Sequence, residues 1–178
     1  MTTNLTAILP TSGRVACADS ISRRPLHIAW GTGDGEWTFD VPPPDINAAA
    51  LINEVGRRAI TSWKFVVPDD AGAIVMDNGS DSPGNQPTQR RFSDSPGNQP
   101  TQHMFVGCRF DFGDAAGQSI REIGLFVNTE TVAGLPPGQM YFTPGEITAP
   151  GLLLYVQQIV PLLRSAATQE VIQTVITF

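Results

Sequence analysis

Apolar and polar residues alternate along several short stretches of this chain, a pattern typical of strands with one buried face. In the clearest stretch the apolar residues occupy every second position: Met104, Val106, Cys108, Phe110 and Phe112. Arg109 and Asp111 fall on the opposite face, so this stretch predicts a half-buried strand, with Cys108 as a small buried side chain. Similar patterns predict strands at Leu26 to Gly31, Ile60 to Pro68, Ile120 to Val127, Met140 to Thr143 and Val171 to Phe178. In the Ile60 strand the inward residues are expected to be Trp63, Phe65 and Val67.

The stretch from Leu152 to Leu163 differs because it is apolar on both faces. A strand of this kind is expected at the centre of a sheet or under a partner. Leu152 and Leu154 are therefore candidate contact residues.

One short helix is predicted at about residues 46–55. Three prolines lead into it, Asp45 can accept hydrogen bonds from its first amides, and Ala48, Ala49 and Ala50 favour helix. Gly56 is expected to end it. Residues 1–25 contain Pro10 and Gly13 and predict no long helix. The fold class is thus predicted as α+β and strand-dominated, an antiparallel sheet or sandwich with the short helix packed on it.

A tandem repeat interrupts this pattern. Ten residues, SDSPGNQPTQ, begin at Ser80 and recur without change at Ser93, a period of 13 residues. The unit is too short and polar for a solenoid, and its Pro-Gly and Gln-Pro steps favour turns. We expect a surface loop at residues 77–103, inserted into a single domain that spans residues 1–178. Its candidate contact residues are Pro83, Gly84, Pro96 and Gly97.

Composition excludes several classes of function. Charged residues make up 16% of the 178 residues, against roughly 25% in average soluble domains. The net charge is −6 and Lys64 is the single lysine, which argues against binding to nucleic acid or to an anionic membrane. No apolar run reaches the roughly 20 residues of a membrane span, and the first residues do not resemble a signal peptide. Cys17 and Cys108 are expected to be free thiols in a protein that folds in the cytoplasm.

No motif for catalysis, metal binding or a cofactor is expected to operate here. The glycines from Gly31 to Gly35 match neither a dinucleotide fingerprint nor a P-loop, and predict a tight turn. Asp34, Glu36, Asp40 and Asp45 lack the spacing of an EF-hand. His27 and His103 are the only histidines, and without a nucleophile elbow both are expected to be structural or solvated.

Five motifs follow one another along the chain: Gly33-Asp34-Gly35, Pro42 to Pro44, Asn53-Glu54-Val55, Arg57 to Ile60 and Ile120 to Phe126. This ordered set resembles the N-terminal domain of the phage tail-collar fibre proteins. The resemblance implies a structural virion protein, a baseplate component or adaptor that attaches tail fibres or tailspikes. It also implies other tail proteins as partners, several copies in each virion, possible homo-oligomers, and folding in the host cytoplasm before assembly. Fibre modules follow this domain in the family and none follows Phe178, which suggests an attachment domain made as a separate polypeptide.

Arg121 and Glu122 lie inside the apolar strand of that motif set, at places where the family also has arginine and glutamate. Adjacent strand residues face opposite sides. They therefore form either an ordinary exposed face or a pair with Arg57, Arg58 or Glu54 that braces the helix against the sheet. We favour bracing.

Trp37 follows the glycine turn and is a further candidate contact residue. It supports the alternative function, a receptor-binding or glycan-binding β-domain at the tail tip, in which Trp37 and Tyr141 would stack on sugar. A small tail-associated hydrolase is the third possibility, and the missing motifs argue against it.

Overall fold

A computed structural model describes residues 7–38, 41–77 and 89–178. The helix α1 is Thr11–Ser22, and strands are numbered in chain order. They are β1 Leu26–Gly31, β2 Glu54–Ala59, β3 Ser62–Pro68, β4 Ile74–Asp77, β5 Gln89–Asp94, β6 His103–Phe110, β7 Ser119–Val127, β8 Glu130–Thr131, β9 Tyr141–Phe142, β10 Ile147–Ala149, β11 Leu152–Leu163 and β12 Glu170–Thr177. Short 3-10 turns are formed by Pro96–Asn98 and Pro144–Glu146. No helix among the described residues is long and apolar enough to cross a membrane.

Contacts divide the chain into two compact units. The first comprises Met1–Arg23, Trp63–Val106 and Thr174–Phe178, and the second comprises Arg24–Ser62 and Gly107–Gln173. The first contains most of a five-stranded sheet of order β12-β6-β3-β5-β4, whose core includes Val66, Phe92 and Phe105. The prediction of one domain stays a prediction.

The second unit contains a five-stranded sheet of order β11-β7-β1-β2-β9. Its β11–β7, β7–β1, β1–β2 and β2–β9 pairs are antiparallel. Ala29, Leu51 and Phe126 form a buried cluster, on which Leu153 and Val156 of β11 pack. Trp30 stacks on Phe110 with ring centroids 3.6 Å apart. The prediction of a strand-dominated, antiparallel fold with one helix is confirmed.

The place predicted for the helix was wrong, because α1 lies at Thr11–Ser22 and not at residues 46–55. Asp45 does accept the Asn47 amide through Oδ1 at 2.8 Å, but this bond closes a turn that the chain then leaves. Further on, the Ile52 amide donates to Glu122 Oε2 at 2.6 Å, and Asn53 has a positive φ of 52°. Long-range hydrogen bonds have therefore replaced the intrahelical ones that the alanines favoured.

Two predicted strand faces also differ from the structure. Trp63 was expected in the core, yet it is 37% exposed, whereas Val66 is buried beside Phe65. In β6 every residue from His103 to Cys108 is buried, so both faces are covered, and Phe112 lies beyond the strand and is exposed. Cys108 is buried, as predicted.

The loop predicted at residues 77–103 is partly strand. Residues 78–88, which include Pro83 and Gly84, lie outside the described residues, whereas Gln89–Asp94 form β5 and Phe92 is buried. The second repeat copy is bonded to β3: Asn98 Oδ1 accepts the Phe65 amide at 2.8 Å, and Thr101 donates to the Val66 carbonyl at 2.8 Å. This copy is therefore part of the folded unit.

Candidate interaction surface

Strand β11 lies at one edge of its sheet. It pairs with β7, and no other strand adjoins it among the described residues. The expectation of a central position was therefore wrong, and the alternative, that a partner covers the strand, stays a prediction. Leu152 is 65% exposed and Leu163 73% exposed.

Edge strands usually carry charged residues, prolines or bulges that prevent pairing with other chains. The sequence of β11, LLLYVQQIVPLL, has no charged residue. Its register with β7 shifts between Leu153 and Tyr155, which makes Leu154 an inserted residue, and shifts again between Gln158 and Leu162, around Pro161. Only the second half of this edge thus combines a proline with a bulge.

A groove of about 400 Å³, whose lining is about half polar and half apolar, lies beside the first half of β11. One wall is formed by residues 153–156 of the strand, and the other by Pro44, Asp45, Ile46 and Ala48. Ile46 is 97% exposed. Because Leu153 and Val156 also pack on the core cluster, the strand wall of the groove is anchored in the fold.

Both ends of β11 are held by buried arginines. Before the strand, Arg57 donates to the Pro150 carbonyl at 2.6 Å and to Thr129 Oγ1 at 2.7 Å, and it pairs with both oxygens of Glu54 at 2.7 and 2.6 Å. Its guanidinium also lies 3.9 Å from the centre of the Phe126 ring. The planar guanidinium of Arg57 uses several donors at once, so it fixes the backbone before β11 more firmly than the ammonium group of a lysine could.

At the other end, Arg164 directly follows β11 and its side chain is fully buried. It donates to the Asp111 carbonyl at 2.9 Å and to the Thr168 carbonyl at 3.2 Å, and lies over the Trp30 ring at 5.0 Å. Arg58 forms salt bridges with Asp111, at 2.6 Å, and with Asp114. Sequence reasoning missed Arg164, and it considered Arg57 only as part of the motif set and as one partner open to Arg121 or Glu122. An arginine next to a long uncharged strand was the one available signal.

Arg121 and Glu122 brace the backbone and form no pair with Arg57, Arg58 or Glu54. Arg121 donates to the Trp37 carbonyl at 3.0 Å and to the Thr32 carbonyl at 3.2 Å. Glu122, on the opposite face, is 3% exposed and accepts the Ile52 amide. The ion-pair form of the prediction is therefore wrong. With so little exposure, Glu122 can contribute little to an interface directly.

The aromatic candidates are engaged within the protein. Trp37 is half-buried, and a Cβ placed on Gly33 would lie 2.9 Å from its ring, so the ring packs closely on that glycine. The Tyr141 hydroxyl donates to the Val55 carbonyl at 3.1 Å, and its ring meets Phe110 edge-on. Stacking on sugar would require at least Tyr141 to give up these contacts.

The remaining candidates are divided between the two units. Pro96 and Gly97 are exposed in the 3-10 turn of the first unit, whereas Leu152 and Leu154 lie on β11 of the second. Of the predicted contact residues, the structure thus brings Leu152 and Leu154 onto the same strand, beside the groove. Within the described part of the chain, no group of three or more His, Cys, Asp or Glu residues could hold a metal ion.

Comparison with known proteins gives one family. A model of the baseplate wedge 3 tail fibre network component matches residues 6–178, nearly the whole chain. None of the curated proteins matches. The resemblance to phage baseplate and tail fibre proteins is confirmed at this level.

Proposed function

Because the chain belongs to the family of baseplate wedge 3 tail fibre network components, we propose that it is an adaptor. It attaches tail fibres or tailspikes to the baseplate of a tailed phage, and it does so through protein contacts without catalysing a reaction. Membership in a baseplate and tail fibre family supports the location in the virion tail. The attachment role rests on the surface described above.

The observation that carries this proposal is the edge strand β11. A strand of 12 residues without a charge, with exposed leucines at both ends, presents an apolar surface that another chain can cover. Buried arginines fix the backbone before and after it, so the edge is presented in one geometry. An adaptor needs such rigidity because a preorganised surface loses less entropy when it binds.

We propose several copies in each particle, with contacts between copies, because such assemblies are usually symmetric. We also infer that the chain folds in the host cytoplasm before assembly. Cys17 and Cys108 support this inference because both are free thiols, as expected in a reducing compartment.

The test is a density map of purified phage tails, combined with particles made without this protein. We expect density for the chain at the baseplate, between a wedge protein and a fibre or tailspike. Particles without it should have baseplates that lack these appendages, and supplying the protein from a plasmid should restore them. Density elsewhere in the particle, or normal fibres in its absence, would contradict the proposal.

A further inference from the structure

We propose that the turn at residues 45–48 inserts the Ile46 side chain into an apolar pocket of another tail protein, and that this pocket carries a lysine or arginine at its rim, beside Asp45. This inference rests on the proposed function and names the kind of partner. The turn lies in a segment, residues 42–50, in which every residue is exposed except Ala48, which is partly exposed.

Two hydrogen bonds from backbone amides fix the shape of this turn. The Ala48 amide donates to the Asp45 carbonyl at 3.0 Å, and the Asn47 amide donates to Asp45 Oδ1 at 2.8 Å. Ile46 occupies the second position of the turn and is 97% exposed. Turn positions usually carry glycine, proline, asparagine, aspartate or serine, so an isoleucine departs from the rule. The turn therefore presents one large apolar side chain to the solvent on a fixed backbone.

Three successive prolines, Pro42, Pro43 and Pro44, lead into the turn. Each proline fixes its own φ at about −65° and has no amide to donate. The segment has little conformational freedom to lose on binding, and a preorganised segment binds more tightly for that reason. Because the prolines lack donors, a partner gains little by pairing with them as a strand. Its contacts should instead be made with the side chains of the turn.

Both sides of the segment are anchored to β7. On the N-terminal side, Arg121 donates to the Trp37 carbonyl at 3.0 Å. On the C-terminal side, the Ile52 amide donates to Glu122 Oε2 at 2.6 Å. Two adjacent residues of one strand thus hold the chain before and after the turn that presents Ile46. This arrangement gives the bracing by Arg121 and Glu122 a role in binding, although neither side chain needs to touch the partner.

Charge selects the partner. Asp45 Oδ1 accepts hydrogen bonds from the amide and the side chain of Asn47, whereas no described residue donates to Oδ2 or forms a salt bridge with Asp45. The sequence from Gly31 to Asn53 contains four carboxylates and no basic residue. A lysine or arginine at the rim of the partner's pocket can therefore bind Oδ2, and an acidic rim is repelled.

A second copy of this chain fits less well as the partner. Its groove beside β11 is lined by Asp45 itself and by no lysine or arginine. Insertion of Ile46 into that groove would bring two Asp45 carboxylates close together, and like charges repel. A different tail protein with a basic rim is therefore the expected partner.

The first test uses purified tails that carry a photo-reactive phenylalanine in place of Ile46. The expected cross-link joins this position to an apolar segment of another tail protein. In a density map of the tails, that segment should line a pocket with a lysine or arginine within hydrogen-bond distance of Asp45. The matched control has the same group in place of Ile8, which is 85% exposed and lies in the first unit. The control position should not capture that segment.

The affinity of the purified chain for the tail protein identified in this way is then measured by calorimetry. Ile46→Ala should weaken binding by about tenfold, because the pocket loses most of an apolar side chain, while Ile8→Ala leaves binding unchanged. Asp45→Asn keeps the acceptor for the Asn47 amide but removes the charge, so binding should weaken and become less sensitive to salt. Since Ile46 is almost fully exposed, Ile46→Ala should leave the melting temperature unchanged.

The possible failures can be told apart. If the chain is absent from purified tails, the proposed function is wrong. If it is present but position 46 captures a second copy of this chain, a pocket with an acidic rim or nothing, the inference about the partner is wrong and the adaptor role stands. Unchanged affinity with Ile46→Ala, or with Asp45→Asn at low salt, would overturn the inference in the same way.

Discussion

Acid should destabilise this protein partly through His27. Its side chain is buried on β1, with the Phe142 ring edge-on at 5.7 Å, and its Nδ1 has no hydrogen-bond partner in the described structure. Burial, assisted by the charge of Arg57, lowers the pKa of His27 from 6.5 to about 4. The folded state therefore keeps this imidazole neutral at a pH where the unfolded chain takes up a proton.

The sign and size of the effect follow from linkage. Well above pH 6.5 the imidazole is neutral in both states and contributes nothing to the pH dependence. As the pH falls from about 6.5 to about 4, only the unfolded state gains the proton, so the free energy of unfolding decreases, by about 3 kcal/mol in all. Between about pH 7.5 and pH 5.5 the loss from this residue is about 1.3 kcal/mol. Carboxylates titrate mainly below this window.

Urea unfolding of the wild-type protein and His27→Phe at about pH 7.5, 6.5 and 5.5 measures this difference. Phenylalanine keeps a ring against Phe142 but cannot titrate, and His27→Gln provides a second variant if the larger ring packs poorly. Wild type should lose about 1.3 kcal/mol more than either variant over the window. The pKa of His103 is also lowered, chiefly by burial, but its contribution is common to all three proteins and cancels. Equal losses in wild type and variants would refute the reasoning.

Three further predictions concern single residues. Glu122→Ala should lower the free energy of unfolding by about 1.5–3 kcal/mol, because the Ile52 amide loses a charged acceptor; Glu122→Gln should lower it less, and denaturant titration measures both. Arg57→Ala should lower the free energy of unfolding by about 3–5 kcal/mol, because it removes the partner of the largely buried Glu54 carboxylate. A thermal melt measures this change, and a much smaller loss of stability would contradict the prediction. Burial raises the pKa of the Cys108 thiol to about 12. A thiol reagent at about pH 8 should therefore label the native protein once, at the exposed Cys17, and the denatured protein twice. Labelling of the native Cys17→Ser variant would contradict this prediction.

The strands with the strongest patterns could be predicted from the sequence alone. Leu26 to Gly31 and Leu152 to Leu163 were predicted with the bounds that the structure shows, and the strand at Ile120 begins one residue earlier. In each case glycine or proline residues lie close to an end of the apolar run. Their effect on the backbone depends only on neighbouring residues, so it can be predicted from the sequence. The motif set was likewise sufficient to identify the resemblance to phage baseplate and tail fibre proteins.

Only the tertiary structure decided where each element lies and what holds it. The alanines at residues 48–50 favour helix locally, but Glu122, 70 residues beyond Ile52, takes the Ile52 amide. Arg57 finds its partners 72 and 93 residues away, at Thr129 and Pro150, and no local pattern encodes that distance. The edge position of β11 depends on which strands join the sheet and in what order. Local propensity is worth less than about 1 kcal/mol per residue, so contacts between distant segments can override it.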